Sequence, residues 1–207
     1  MRNRTETQIN LVLIRHGATP SNAEGRYLGR TEEDLSAAGK EKLLLNKKMG
    51  KYPPASIVFS SPMKRCRQTA DLLYDCKDPI LIEEWREADF GRFEGKNHLD
   101  LNGDAEYQKW IDSNGELPFP DGESREDVMD RCKMGLMKVV DELSVNGLTA
   151  KESFIAAVVH GGSMMALLSS FGGGNYFDYQ CSNGEGYVCR LTFLEHSQPS
   201  LEILRKL

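Results

Sequence analysis

Leu13-Ile14-Arg15-His16-Gly17 is the stretch on which the fold turns. It closes an apolar run that begins at Ile9, and a short run of β-branched and aliphatic residues reads as a buried strand. An arginine, a histidine and a glycine stand at its end, with Thr19 and Asn22 just beyond. Open α/β sheets bind ligands outside the carboxyl ends of their strands, so Arg15 and His16 occupy the place where such a fold keeps its chemistry. A second run of the same kind, residues 154–159, ends in His160-Gly161-Gly162-Ser163. A glycine at such a strand end lets the backbone turn sharply and approach a ligand closely.

Working outward, strand and helix signals alternate. Residues 36–49 read as a helix with Ser36 as N-cap and Leu44 and Leu45 facing inward, ended by Gly50 and Pro53-Pro54. Residues 57–59 form a second buried strand. Ser61 then suits a cap and Pro62 a first helical position, which starts a helix there. Met63, Cys66, Ala70 and Leu73 share one face of that helix, and Arg65, off that face in its first turn, is free to reach the strand ends. A short strand covers residues 80–82. Residues 84–95 form a packed irregular loop with two glycines and three aromatics.

A helical segment covers residues 105–111. Ser124, with Asp127 three residues on, opens a long helix to about residue 143, its inward side carrying Val128, Cys132, Leu136, Val139 and Leu143. Another helix follows His160, and residues 187–194 and 201–204 read as an antiparallel hairpin. The fold class expected is α/β: a three-layer α/β/α sandwich with a mainly parallel sheet and an antiparallel C-terminal strand. No repeat or Pro/Gly-rich linker interrupts the chain, so residues 1–207 read as one domain.

The 207 residues suffice for one well-buried core, and 26 basic against 31 acidic residues leave a net charge of −5. That balance gives no bulk attraction to nucleic acid or to an acidic membrane. Five cysteines without a Cys-x-x-Cys pair read as reduced thiols, several of them core-facing. No apolar stretch approaches a membrane span and the first ten residues are polar, so the expected location is the cytoplasm.

Two imidazoles and the guanidinium groups of Arg15 and Arg65, beside a helix N-terminus, suit a dianionic phosphate. A neutral imidazole can attack phosphorus in line if its neighbours fix its tautomer. The leaving alkoxide then needs a proton from an acid that keeps it near neutrality. Glu87, in a partly apolar loop between Trp85 and Phe90, is the candidate.

Arg15-His16-Gly17 with Thr19 and Asn22 resembles the signature of the histidine phosphatase superfamily, which includes the cofactor-dependent phosphoglycerate mutases. Residues 60–65 with Gln68-Thr69-Ala70 are similar to that family's second motif, and Glu87 with Phe90-Gly91 and Glu94-Gly95 to the segment bearing its acid. Gly122-Glu123-Ser124 resembles a common family loop, and Val159-His160-Gly161-Gly162 its second catalytic histidine. The matches run in the family's order over nearly the whole chain. By position, the resemblance implies a phosphoglycerate mutase-like fold, His16 as the phosphorylated nucleophile and Glu87 as general acid and later base. It implies that His160, Arg15 and Arg65 bind the phosphoryl group and stabilise its charge, that Asn22 and Gly161 complete the phosphate site, and that no metal or cofactor is used.

Ala18 stands where many relatives have glutamate, and Glu32-Glu33-Asp34 where many have an aspartate followed by x-Pro. Both bear on substrate more than on chemistry. The chain is also short for the inserted segment and tail of the true mutases, so the reading favours a phosphatase resembling the α-ribazole phosphatase branch. Its expected partner is a small-molecule phosphoester, α-ribazole 5'-phosphate or a sugar phosphate, with phosphate or sulfate expected in the pocket. A phosphoglycerate mutase and a non-catalytic phospholigand-binding module are the alternatives, and a homodimer is left open. Glu123 reads as part of a helix start, Tyr176, Phe177 and Tyr179 as packing residues or a lid, and His98 and His196 as exposed loop residues.

Overall fold

The run around the first motif becomes strand β1 (Thr7–Arg15), in the interior of the sheet. A short helix α1 (Pro20–Ala23) follows, then helix α2 (Ala37–Lys48), capped by Ser36, whose side chain accepts a hydrogen bond from the Gly39 amide. Strand β2 (Ile57–Ser60) leads to helix α3 (Lys64–Tyr74) and to the short edge strand β3 (Ile80–Leu81). The irregular loop folds through two 3-10 turns, Glu83–Trp85 and Gly91–Phe93. Helices α4 (Ala105–Asp112) and α5 (Arg125–Val145) precede strand β4 (Phe154–Val159) and helix α6 (Gly161–Gly172). A 3-10 turn, Tyr176–Tyr179, leads to strands β5 (Gly186–Phe193) and β6 (Ser200–Lys206). This computed structural model describes residues 6–145, 154–194 and 197–207, so the reading of His196 lies outside the described residues.

The strands form one six-stranded sheet in the order β3-β2-β4-β1-β5-β6. β1 to β4 run parallel, and β5 is antiparallel to both its neighbours. Strand alternation feeds two cores. Leu11, Leu13, Ile155, Ala157 and Val159 pack against α5 and α6 through Leu136, Val139, Met164 and Leu167. Val12, Ile14, Ala156 and Val158 pack on the opposite face against Leu43 of α2 and Cys66, Ala70 and Leu73 of α3. The result is the expected three-layer α/β/α sandwich. Each such aliphatic side chain stabilises the fold by about 1.5–3 kcal/mol relative to exposure. The four described cysteines of the interior, Cys66, Cys132, Cys181 and Cys189, are buried free thiols.

Three local expectations are corrected. Leu44 and Leu45 are exposed at 48% and 56%, and Leu43 is the leucine that is buried. The reason is Gly39: a Cβ there would meet the Ala18 carbonyl oxygen at 2.2 Å, so α2 lies against backbone along the narrow Gly39–Leu43 line. Helix α3 begins at Lys64 after Met63, two residues later than the Ser61-Pro62 signal suggests. The Ser61 amide still donates to the Val158 carbonyl as the sheet ladder does, and the Ser61 hydroxyl is taken up by His160. Finally, Gly17, Gly161 and Gly162 all lack a positive φ. They are needed for close approach, not for a reversed turn.

Candidate active site

Parallel pairing of β1 with β4 sets Arg15 opposite Val159, so the next residue of each strand is a histidine. The His16 amide continues the ladder by donating to the Val159 carbonyl at 3.0 Å. The two rings lie 5.1 Å apart between centroids, about one strand spacing, in an edge-on arrangement. Both are buried.

His16 Nδ1 lies 2.7 Å from the Gly17 carbonyl oxygen. A carbonyl only accepts, so Nδ1 carries the proton and Nε2 keeps its lone pair. Gly17 is held in turn: its amide donates to Thr69 Oγ1 at 3.0 Å, and that hydroxyl donates to the Arg65 carbonyl at 2.7 Å. A Cβ at Gly17 would meet Leu43 Cδ1 at 2.6 Å, so any larger residue there requires the Leu43 side chain to shift. Arg65 Nε donates to His160 Nδ1 at 3.3 Å, which makes His160 Nε2 the protonated nitrogen donating to Ser61 Oγ at 2.7 Å. Burial first, and then the Arg65 charge, hold both imidazoles well below the ordinary histidine range.

Arg15 donates from Nη1 to the Cys181 carbonyl at 2.6 Å, while its buried Nε has no hydrogen-bond partner. Asn22 spends its side-chain oxygen inside the fold, accepting from the Thr19 amide and from Asn183 Nδ2. Glu87 is buried in the loop after β3, where its carboxylate accepts from the Ala88 amide at 3.0 Å and from the Gly162 amide at 3.5 Å. A Cβ at Gly162 would come within 2.6 Å of Glu87 Oε1, so a glycine there is what admits the acid to the start of α6. Arg15, His16, Asn22, Glu87, Gly161 and Gly162 line one cavity of about 890 Å³. His160 and Arg65 stand behind that wall: Arg65 is fully buried, with its other N–H groups donating to the carbonyls of Leu28, Gly29 and Thr31.

A profile of the histidine phosphatase superfamily, branch 1, matches residues 11–205 of this chain. The chain belongs to the histidine phosphatase superfamily. Among its relatives, a glucosyl-3-phosphoglycerate phosphatase of Mycolicibacterium vanbaalenii is 33% identical over 164 residues, covering 77% of this chain and 72% of the relative. A metal-independent phosphoserine phosphatase of Arabidopsis thaliana is 29% identical over 165 residues, covering 76% of this chain and 66% of that protein. The α-ribazole phosphatase of Shigella flexneri shares the fold, with a TM-score of 0.73, 24% identity and coverage of 95% and 96% of the two chains. Fold and relatives agree on a phosphoric monoester hydrolase.

Some residues around this histidine phosphatase site have contacts that the sequence does not reveal. Glu123, read as a helix-start residue, is a clamp on the loop that carries Glu87. It pairs bidentately with Arg131 at 2.7 and 2.9 Å and accepts from the Asp89 amide at 2.8 Å, while Arg131 donates to the carbonyls of Glu84 and Arg86. Asn183 and Arg125 also line the cavity, and their residue types alone do not mark them. Trp110, Phe119 and Phe90 form its aromatic wall, with Tyr176 and Phe177 alongside Arg125. No helix among the described residues is long and apolar enough to cross a membrane, and no group of three or more His, Cys, Asp or Glu there is placed to hold a metal ion.

Proposed function

We propose that the protein hydrolyses a small-molecule phosphomonoester through a phosphohistidine on His16. The observation that carries this reading is the tautomer of His16: with Nδ1–H bound to the Gly17 carbonyl, a neutral Nε2 lone pair is available on the cavity that also holds Glu87. Nε2 attacks phosphorus in line, and the bond from phosphorus to the ester oxygen breaks. Glu87 gives its proton to that oxygen as the alcohol leaves. In the second half, Glu87 takes a proton from water as the water oxygen attacks phosphorus, the bond from phosphorus to Nε2 breaks, and phosphate departs. Arg15, Asn22 and the amides at the start of α6 hold the phosphoryl oxygens, Arg65 adds positive charge from behind the cavity wall, and His160 packs edge-on against the His16 ring.

The test is a rapid quench with a ³²P-labelled phosphoester. The expected product is labelled protein whose label is acid-labile and base-stable and is missing from His16→Ala. Full activity in His16→Ala overturns the reading. Glu87→Gln is expected to slow hydrolysis of an alkyl phosphate by about 10²–10⁴-fold, in the range of general-acid contributions. An aryl phosphate with a good leaving group should lose less in the first half-reaction. Bisphosphoglycerate-dependent isomerisation faster than hydrolysis would instead identify a mutase.

A further inference from the structure

Arg125 begins α5 and lines the same cavity as His16 and Glu87. Its guanidinium lies 5.5 Å from the ring centroid of Tyr176 and 5.6 Å from that of Phe177. Among the described residues the carboxylate paired with it is that of Glu116, at 3.7 Å and 75% exposed, whereas the Arg125 side chain is 22% exposed. A pair so long and so wet contributes little to stability, so the partly buried guanidinium rests mainly on the two aromatic rings. Among the described residues it makes no hydrogen bond, so its planar fork is open.

Its direction from the reacting centre matters. The Tyr176 hydroxyl donates to the Gly162 carbonyl at 3.2 Å, and the Gly162 amide donates to Glu87. One tyrosine ring therefore links the seat of the general acid to Arg125. Glu87 protonates the ester oxygen, and what lies beyond that oxygen is the leaving group. Of the other cations of the cavity, Arg15 belongs to the phosphate end beside His16, and the rest are engaged or peripheral: Arg26 holds Glu24, Asp100 and the Gly95 carbonyl, Lys206 lies over the Tyr187 ring, and Lys42 is exposed on α2.

We infer that Arg125 is a second anion subsite that takes a carboxylate carried by the leaving group, so the substrate is a phosphomonoester of a hydroxy acid. The choice of carboxylate rests on Glu116, a group of that shape already opposite the fork, which the substrate displaces. Tyr176 and Phe177 fix the guanidinium, so little side-chain freedom is lost on binding. The inference depends on the phosphomonoesterase reading above.

The experiment compares two matched pairs, phosphoserine against phosphoethanolamine and 3-phosphoglycerate against glycerol 3-phosphate, in wild type, Arg125→Gln and Arg125→Lys. The expected result is a wild-type preference in kcat/KM for the carboxylate member. That preference should fall by about ten- to a hundredfold in Arg125→Gln, the worth of a charge-assisted hydrogen bond, and by less in Arg125→Lys. Ratios within a pair cancel a general loss of folded enzyme, and the lysine variant decides the matter if the glutamine variant does not fold. A ratio near one in wild type, or one unmoved by both variants, overturns the subsite while phosphate release persists. Arg125 dependence confined to bisphosphates overturns the carboxylate assignment. Failure to hydrolyse any phosphoester overturns the underlying reading instead.

Discussion

Two buried imidazoles stand side by side beneath two guanidinium groups, and each is held well below the ordinary histidine range, by burial first and by Arg65 next. In the unfolded chain both titrate near pH 6.5. As pH falls through that value the unfolded state binds protons that the folded state refuses. The stability this neutral pair contributes is therefore complete above about pH 6.5 and is lost as pH falls toward the lowered folded values. Each histidine contributes a slope of up to about 1.4 kcal/mol per pH unit in that window. Urea unfolding is expected to give a midpoint that drops between pH 7 and 5.5, and His160→Gln should flatten the drop. A variant with an undiminished slope would place the acid sensitivity elsewhere. At this scale the sequence shows which histidines end adjacent strands, because a histidine at a strand end is a local feature. It was a poor guide to partners: Ser61 looked like a helix cap, and its hydroxyl instead fixes the His160 tautomer across the sheet.

Glu87, the proposed general acid, rides on a loop, and loops need tethers if they are to place a proton accurately. Glu123 and Arg131 supply one, joining residues 84–89 to the start of α5 through a bidentate pair in which both side chains are 17% exposed. Glu123→Gln removes the charge while keeping the shape, leaving Arg131 largely buried and half-partnered. The expected cost is about 1–3 kcal/mol of stability and a kcat lower by about tenfold, since a small misplacement of a catalytic group is expensive. KM should move little. An unchanged kcat would mean that the Ala88 and Gly162 amides hold Glu87 unaided. Nothing in the sequence exposed this clamp, because its contacts join Asp89, Glu123 and Arg131 across two elements. The misplaced face of α2 has a similar origin. Helical spacing marks Leu43, Leu44 and Leu45 alike, and only the close approach of Gly39 to the Ala18 backbone decides which one points inward.

Over the whole molecule the acidic balance, −5, conceals a local surplus of cations at the strand ends. The elements there were legible: apolar runs at 9–14 and 154–159 fixed the central strands, and parallel pairing of those strands brings His16 beside His160. The cavity was not, since residues from α1, the 84–122 segment, α5, α6 and the 176–185 segment close around it, and sequence periodicity says nothing about how such loops meet. Arg15 Nε, buried there without a hydrogen-bond partner, and Arg65 sit close to two imidazoles, while the carboxylates lining the cavity are Glu87 and Glu185 against the cations Arg15, Arg26, Lys42, Arg125 and Lys206. A phosphate dianion would relieve that surplus, and a ligand that binds only the folded state stabilises it by mass action. At a hundredfold excess over Kd the gain is about 2.7 kcal/mol, or about 5–10 °C in Tm for a chain of this size. Inorganic phosphate at pH 7.5 is therefore expected to raise Tm by that amount, with sodium chloride at matched ionic strength raising it far less. Arg15→Gln should lose most of the phosphate effect, because it removes the fork whose Nε faces no other partner. An equal shift with chloride would reduce the effect to screening of like charges, and an undiminished shift in Arg15→Gln would move the anion away from the His16 strand end.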